Sequence, residues 1–231
     1  LSFPYMKKHG ITFKDIIDAY ENDAHKDLAK KAPIHEVVLD MVVHHSPDPK
    51  VAQVYRIPKI WHGDKETELG KALMTCDPDG EPAFVVTKIV IDKHAGEVAA
   101  GRIFSGKFKP GQEVYMNMAK KKVRLQQVSV YKGAHRVALD EVYPGNIVGL
   151  VGLKGVFAGE TVSVEVMEPF EAIKHIFEPV ITKSIEANSS ADLAKLVDIL
   201  GQISKEDPSI KIEINEETGE NLISGMGELH L

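Results

Sequence analysis

Apolar and polar positions along the chain follow three successive rhythms. Ahead of residue 80 the spacing is helical. Thr12, with Asp15 three residues on, forms an N-terminal box before Phe13, Ile16, Ile17 and Tyr20, because each side chain satisfies a backbone N–H that the first turn leaves open. Pro33 suits the first turn of a second helix, in which Ile34, Val37, Val38, Met41 and Val42 recur at three-and-four spacing on one face. That helix stops at Ser46-Pro47-Asp48-Pro49, where two prolines bias the residues before them away from helical angles. From Lys50 to Pro82 turn residues dominate, which predicts a winding connector with a short helix at Leu69 to Thr75.

The second rhythm runs from Ala83 to Val166. Short β-branched runs are separated by Gly, Pro and Asn at the spacing of a small closed sheet. The predicted strands are Phe84 to Asp92, Gly96 to Phe104, Glu113 to Met118, Val123 to Tyr131, Ile147 to Leu153 and Thr161 to Val166. Val123, Leu125, Val128 and Val130 make an inward set with a phase slip at Gln126 and Gln127, which predicts a bulge. Closure of this barrel leaves no unpaired strand edge.

After Pro179 the third rhythm is strand, helix, strand, strand. Val180 to Ala187 extends, Ser189 or Ser190 caps, and Leu193, Leu196, Val197, Leu200 and Ile203 repeat at helical spacing. Ile210, Ile212 and Ile214 alternate with polar residues, Glu217-Thr218-Gly219 turns the chain into Asn221 to Ser224, and a helix is expected from Gly227 or Glu228. A ferredoxin-like unit needs one more helix and strand. That deficit predicts exposed apolar surface at Ile210, Ile212 and Leu222. With a start at Leu1 and an apolar segment still running at Leu231, it also suggests a piece of a longer protein. The expected fold class is multi-domain, mainly β plus α+β: a helical N-terminal segment (1–80), a β-barrel (81–170) and a truncated ferredoxin-like α/β sandwich (171–231).

Composition narrows the function classes. At 231 residues with 43% hydrophobic content the chain is long and apolar enough for more than one core, and no apolar run approaches the ~20 residues of a membrane helix. A lone Cys76 and the absence of a charged leader point to the cytoplasm, with no disulfide and no membrane partner. The net charge of −6 hides an asymmetry: 11 basic against 13 acidic residues in 1–80, 12 against 9 in 81–170, and 5 against 12 in 171–231. Only the middle is basic. Lys120, Lys121, Lys122 and Arg124 cluster there and have the charge to neutralise phosphates, the bland alternative being a solvated hairpin tip.

Several motifs imitate chemistry without completing it. Gly101-Arg102-Ile103-Phe104-Ser105-Gly106-Lys107 has the glycine and lysine spacing of a phosphate-binding loop, but Phe108 replaces the metal-holding hydroxyl and the flanks read as strands. A nucleotide-binding enzyme built on this loop is the alternative reading. Asp77-Pro78-Asp79-Gly80 imitates a GTPase switch motif without its upstream loop. His44, His45 and Asp48 are metal-ligand types, yet adjacent helical side chains point about 100° apart and suit the helix C-terminus better. No catalytic, cofactor or metal residue is predicted.

Specific strings then carry a resemblance: Lys59-Ile60-Trp61, Cys76-Asp77-Pro78-Asp79-Gly80, Asp92 with Ala95-Gly96-Glu97-Val98-Ala99, Gly101-Arg102-Ile103-Phe104-Ser105-Gly106, and Gly225-Met226-Gly227-Glu228-Leu229-His230-Leu231. The chain resembles, nearly end to end, the archaeal and eukaryotic elongation factor 2 family, translational GTPases that move tRNAs and mRNA through the ribosome. The resemblance implies that 1–80 is the tail of the GTPase domain and its connector, 81–170 the translation-factor barrel called domain II, and 171–231 part of domain III. It places GTP and magnesium in the parent protein, not in this stretch. It implies as partners the parent's own GTPase domain, small-subunit ribosomal RNA and a small-subunit ribosomal protein. Arg102, Lys107, Lys109, Lys120, Lys121, Lys122 and Arg124 become expected RNA or interdomain contacts, and Gly101, Gly106, Gly225 and Gly227 expected structural turns. Release-factor and biogenesis GTPases share the barrel string and remain an alternative.

Overall fold

The computed structural model describes residues 3–92, 94–133, 135–171, 178–214 and 220–231. The chain divides into two compact units, Leu1–Asp48 and Pro49–Leu231.

The first unit is helical: α1 Phe3–Lys8, α2 Phe13–Glu21, α3 His25–Lys31 and α4 Ile34–His45. The expected box at α2 is present, with Thr12 Oγ1 accepting the Asp15 N–H at 3.3 Å and Asp15 Oδ2 accepting the Thr12 N–H at 2.7 Å. Pro33 is the N-cap of α4 and not its first residue, held extended at ψ 121°. A small core joins Tyr5, Ile11 and Ala32 to Ile16, Leu28 and Val37, and the Tyr5 hydroxyl donates to the Pro33 carbonyl at 2.7 Å.

The second unit opens with a correction. The stretch read as a winding connector begins with a twelve-residue helix, α5 Pro49–Ile60, followed by α6 Glu68–Thr75. Pro49 starts α5 at the position where a missing N–H costs nothing. Its buried residues are Ala52, Gln53 and Ile57, so a small and a polar side chain stand where an apolar stripe would have announced the helix. Ile57, Trp61 and Leu73 pack on Ala83, Val85, Phe104, Met167 and Phe170, which seats both helices on the sheet that follows.

That sheet has eight strands: β1 Ala83–Asp92, β2 Gly96–Ser105, β3 Glu113–Met116, β4 Lys121–Arg124, β5 Gln127–Lys132, β6 His135–Leu139, β7 Ile147–Val151 and β8 Thr161–Ser163. Their order is β4-β3-β8-β1-β2-β7-β5-β6, and every pairing is antiparallel. Arg124 ends one edge and Gln127 begins the strand next to the other edge, so the sheet must curl until its ends meet. Lys121 Nζ on β4 reaches across that seam to Lys154 O, just past β7, at 2.5 Å, while the Gln126 N–H donates to Val151 O at 2.8 Å and carries the β5–β7 ladder up to the corner. Gly152 makes the crossing possible. It sits at φ +111°, and a Cβ there would stand 2.6 Å from Arg124 O. The phase slip at Gln126 is therefore a corner between two strands, not a bulge within one, and the barrel meets itself through this corner and not through an unbroken ladder. β6 was not foreseen, because its five residues, His135–Leu139, have no buried member and no alternation. Phe84, Ile103, Phe108, Met116, Leu125 and Leu150 fill the interior.

The remaining elements are β9 Ile181–Ile185, a 3-10 turn at Ser190–Asp192, α7 Leu193–Glu206, β10 Lys211–Ile214 and β11 Asn221–Gly225. The strands order as β10-β11-β9, in the expected β-α-β-β arrangement. The predicted turn at 217–219 lies outside the described residues. Leu200, Ile210 and Ile223 form the core under α7, so Ile210 is covered, contrary to expectation, while Ile212 and Leu222 are half-buried. At Gly227 a turn replaces the expected helix, its carbonyl accepting from the N–H groups of His230 and Leu231. β8 pairs β1 only over Ala83–Val85, which leaves the far half of β1 open on that side, and α7 closes on it: Glu206 Oε1 accepts the Ile91 N–H at 2.5 Å and Lys205 Nζ meets Glu97 Oε1 at 2.5 Å. Among the described residues no helix is long and apolar enough to cross a membrane.

Candidate nucleic-acid interface

The basic cluster stands on the β3–β4 hairpin. Val123 faces inward opposite Val114, so Lys122 opposite Tyr115 and Arg124 opposite Glu113 face out. The hairpin tip is pinned from beneath by Glu160, whose carboxylate is wholly buried. Its Oε1 accepts the N–H groups of Met118 at 2.8 Å and Thr161 at 3.0 Å, and its Oε2 that of Ala119 at 3.1 Å. Asn117 adds a second anchor: Nδ2 donates to Thr161 O and Ser163 Oγ while Oδ1 accepts the Met167 N–H. Lys120 follows at φ +52°, a left-handed angle that a non-glycine residue holds only where its surroundings impose it. The cations thus project from backbone that is fixed before a ligand arrives, so only side-chain freedom remains to be lost on binding.

Not all of them are equally available. Lys121 donates to Lys154 O, and Arg124 Nε donates to Gly111 O at 2.7 Å, which ties the hairpin to the Lys109–Gln112 loop. Lys120 and Lys122 form no ion pair among the described residues.

Lys107 and Lys109 lie in that neighbouring loop and are neutralised within the protein. Lys107 Nζ is 2.9 Å from Asp79 Oδ1 and lies 5.4 Å from the centre of the Tyr143 ring; Lys109 Nζ is 3.1 Å from Glu141 Oε2. The hydrogen bond to Asp79 raises the Lys107 ammonium above its ordinary range, and the Tyr143 hydroxyl, then Lys109, hold the Glu141 carboxyl below its own. Two acids against two bases leave this patch without net charge. Arg102 belongs to neither group. It stands on β2, registered with Val85 and Ile147, on the side where α5 packs.

The glycines divide as well. A Cβ on Gly101 would fall 1.9 Å from Val85 O, so the β1–β2 ladder closes only over glycine. Gly106 turns at φ +65° and donates to Asp77 O. Gly225 is crowded by Leu231, while Gly227 has open space around it. The likeness to a phosphate loop ends here, since Gly101 to Ser105 are strand, Lys107 is held by Asp79, and the next element is β3. Asp77 to Gly80 are a turn in which Asp77 Oδ1 accepts the Asp79 N–H. Among the described residues no three His, Cys, Asp or Glu side chains are placed to hold a metal.

The family described as "Elongation factor G domain 2" matches residues 81–165, and that described as "Elongation Factor G, domain III" matches 176–231. Elongation factor 2 of Methanocaldococcus jannaschii is 57% identical over the whole chain, and the proteins of that name from Methanopyrus kandleri and Thermococcus kodakarensis are each 56% identical over the whole chain. The chain belongs to the elongation factor 2 family. It spans 32% of the length of the first and third of these relatives and 18% of the second. In this elongation factor 2 stretch the domain 2 match contains all eight barrel strands, and the domain III match contains β9 to β11 and α7. Sequence reasoning missed Glu160, Asn117 and Gly152. The only trace they left is Gly159 before Glu160, a turn residue at φ +97° leading into β8.

Proposed function

We propose that this stretch supplies the ribosome-contacting and coupling part of an elongation factor 2. In this reading 1–80 ends the GTPase domain and connects it, 81–170 is domain II and 171–231 is part of domain III. GTP and magnesium belong to other parts of the parent protein, which hydrolyses GTP to drive movement of tRNA and mRNA in the cytoplasm. Small-subunit ribosomal RNA is the partner of the barrel, and a small-subunit ribosomal protein that of domain III.

One observation carries the reading: unneutralised Lys120 and Lys122, with Arg124, on a hairpin fixed by a buried carboxylate. Each phosphate they neutralise releases counterions, so binding falls with salt. Binding of the 231-residue chain to isolated small ribosomal subunits across a salt series tests it. Replacing Lys120, Lys122 and Arg124 by Gln lowers the slope of log affinity against log salt by about one for each phosphate left without its cation. Binding indifferent to salt and to these substitutions overturns the reading. Calorimetry with GTP and magnesium should be flat for this chain, and micromolar binding would instead favour a nucleotide enzyme.

A further inference from the structure

A cleft of about 290 Å³ opens between α5 and the outer side of β1 and β2. Ala52, Val85, Gly101 and Phe104 give it an apolar floor, with Phe170 stacked on Phe104 at 4.8 Å. Arg56, Arg102 and Glu171 stand around it. Among the described residues neither guanidinium enters an ion pair or a side-chain hydrogen bond, and Glu171 lies beyond ion-pair reach of both. Gln53, in the wall, donates through Nε2 to the carbonyls of Leu73 and Phe104 and keeps a buried Oε1 without a partner.

These features match the parts of one nucleotide. The floor offers an apolar face for a base, in a space just below the ~300 to 1,000 Å³ common for drug-sized ligands. Two arginines suit a phosphate, and a carboxylate suits a ribose hydroxyl. A free nucleoside triphosphate fits poorly, since the cleft is lined by the middle of α5 and not by a helix N-terminus whose amides would receive a polyphosphate. Ile147, 60% exposed at the same cleft, extends the apolar surface for a neighbouring base. We propose that this cleft takes a single extruded nucleotide of an RNA strand, its base on Val85 and Phe104, its phosphate between Arg56 and Arg102, and its ribose on Glu171. The proposal rests on the RNA-contact reading of the hairpin and adds a second site that recognises by stacking as well as charge.

The test uses the whole 231-residue chain, with a short single-stranded oligoadenylate and AMP as probes. Arg56→Gln with Arg102→Gln weakens oligoadenylate binding about tenfold, as expected when at least one charge-assisted hydrogen bond is removed, and lowers the salt slope. Oligoadenylate shifts the amide resonances of Val85, Gly101 and Phe104 in the unaltered protein. Thr87→Trp, placed at an exposed strand position lining the slot, removes those shifts while both arginines remain. If the arginine variant binds normally while Lys120→Gln with Lys122→Gln weakens binding, the cleft is wrong and the hairpin reading stands. If the unaltered chain binds no RNA, both fall. AMP binding as tightly as the oligomer, or an acidic peptide displacing it, overturns the RNA assignment of the cleft.

Discussion

Gly101 and Gly227 were equal as letters, and only the backbone separates them. At Gly101 the place of a Cβ is taken by Val85 O, so Gly101→Ala forces β1 from β2 and should cost about 3 kcal/mol in urea unfolding, at the upper end for overpacking. Gly227→Ala meets nothing and should stay within about 0.5 kcal/mol of the parent. Asp207 is a second site where side chains decide. The Ser209 hydroxyl, then His230, bring its carboxyl from 3.8 to about 2. His230 Nδ1 accepts the Met226 N–H, so its Nε2 carries the proton toward Asp207 at 3.0 Å and joins the residues after β11 to the end of α7. A depressed carboxylate stabilises above its unfolded value and loses that contribution as pH falls from 3.8 toward about 2. Asp207→Asn should cost roughly 1 kcal/mol at neutral pH, limited by solvent screening of a half-exposed pair, and should abolish this acid dependence in pH-resolved urea titrations. Ser209 is two residues from Asp207, but His230 is 23 residues away and carries no signal in the sequence of meeting it.

At the scale of elements, α5 shows what hydrophobic rhythm misses. A helix that packs through Ala52 and Gln53 has no stripe, although its seat is firm: Trp61 is 2% exposed and its Nε1 donates to Glu168 O at 2.8 Å. Trp61→Phe keeps most of the packing and should cost about 1 kcal/mol for the missing hydrogen bond. Trp61→Ala leaves a cavity and should cost about 3 to 5 kcal/mol by urea unfolding followed by circular dichroism. The helices α2, α4 and α7 were legible because apolar residues recur along them at three-and-four spacing, and β1 and β2 because their β-branched runs are bounded by turn residues, although α2 and α4 bury none of their own residues. β4 and β5 were read as one strand because the seam at Gly152 that bends them apart is remote in sequence. The candidate cations were legible by type, but the neutralisation of Lys107 and Lys109 by Asp79 and Glu141 was not, since residue types carry no distances.

Across the whole molecule the two compact units differ in how they are built. In Leu1–Asp48 the helices α2, α3 and α4 contain no buried residue, whereas the barrel of the second unit has a core of fully buried side chains. Two cores of such unequal size should not unfold as one. The single tryptophan, Trp61, reports only the second unit, so its fluorescence should lose native signal at higher urea than helical circular dichroism, which includes the first unit. Coincident curves would show a single cooperative unit instead. The strand order of the barrel has a consequence for its birth. β8, three residues long, lies between β1 and β3, pairing Ala83–Val85 on one side and Tyr115–Met116 on the other. A nascent chain that has emerged only through β7 lacks the strand that brings its earliest and middle segments together, and the loop to be closed is nearly the length of the barrel itself. Completion must therefore wait for Thr161–Ser163 to leave the exit tunnel, and until then the apolar lining of the unclosed sheet is the surface a chaperone would guard.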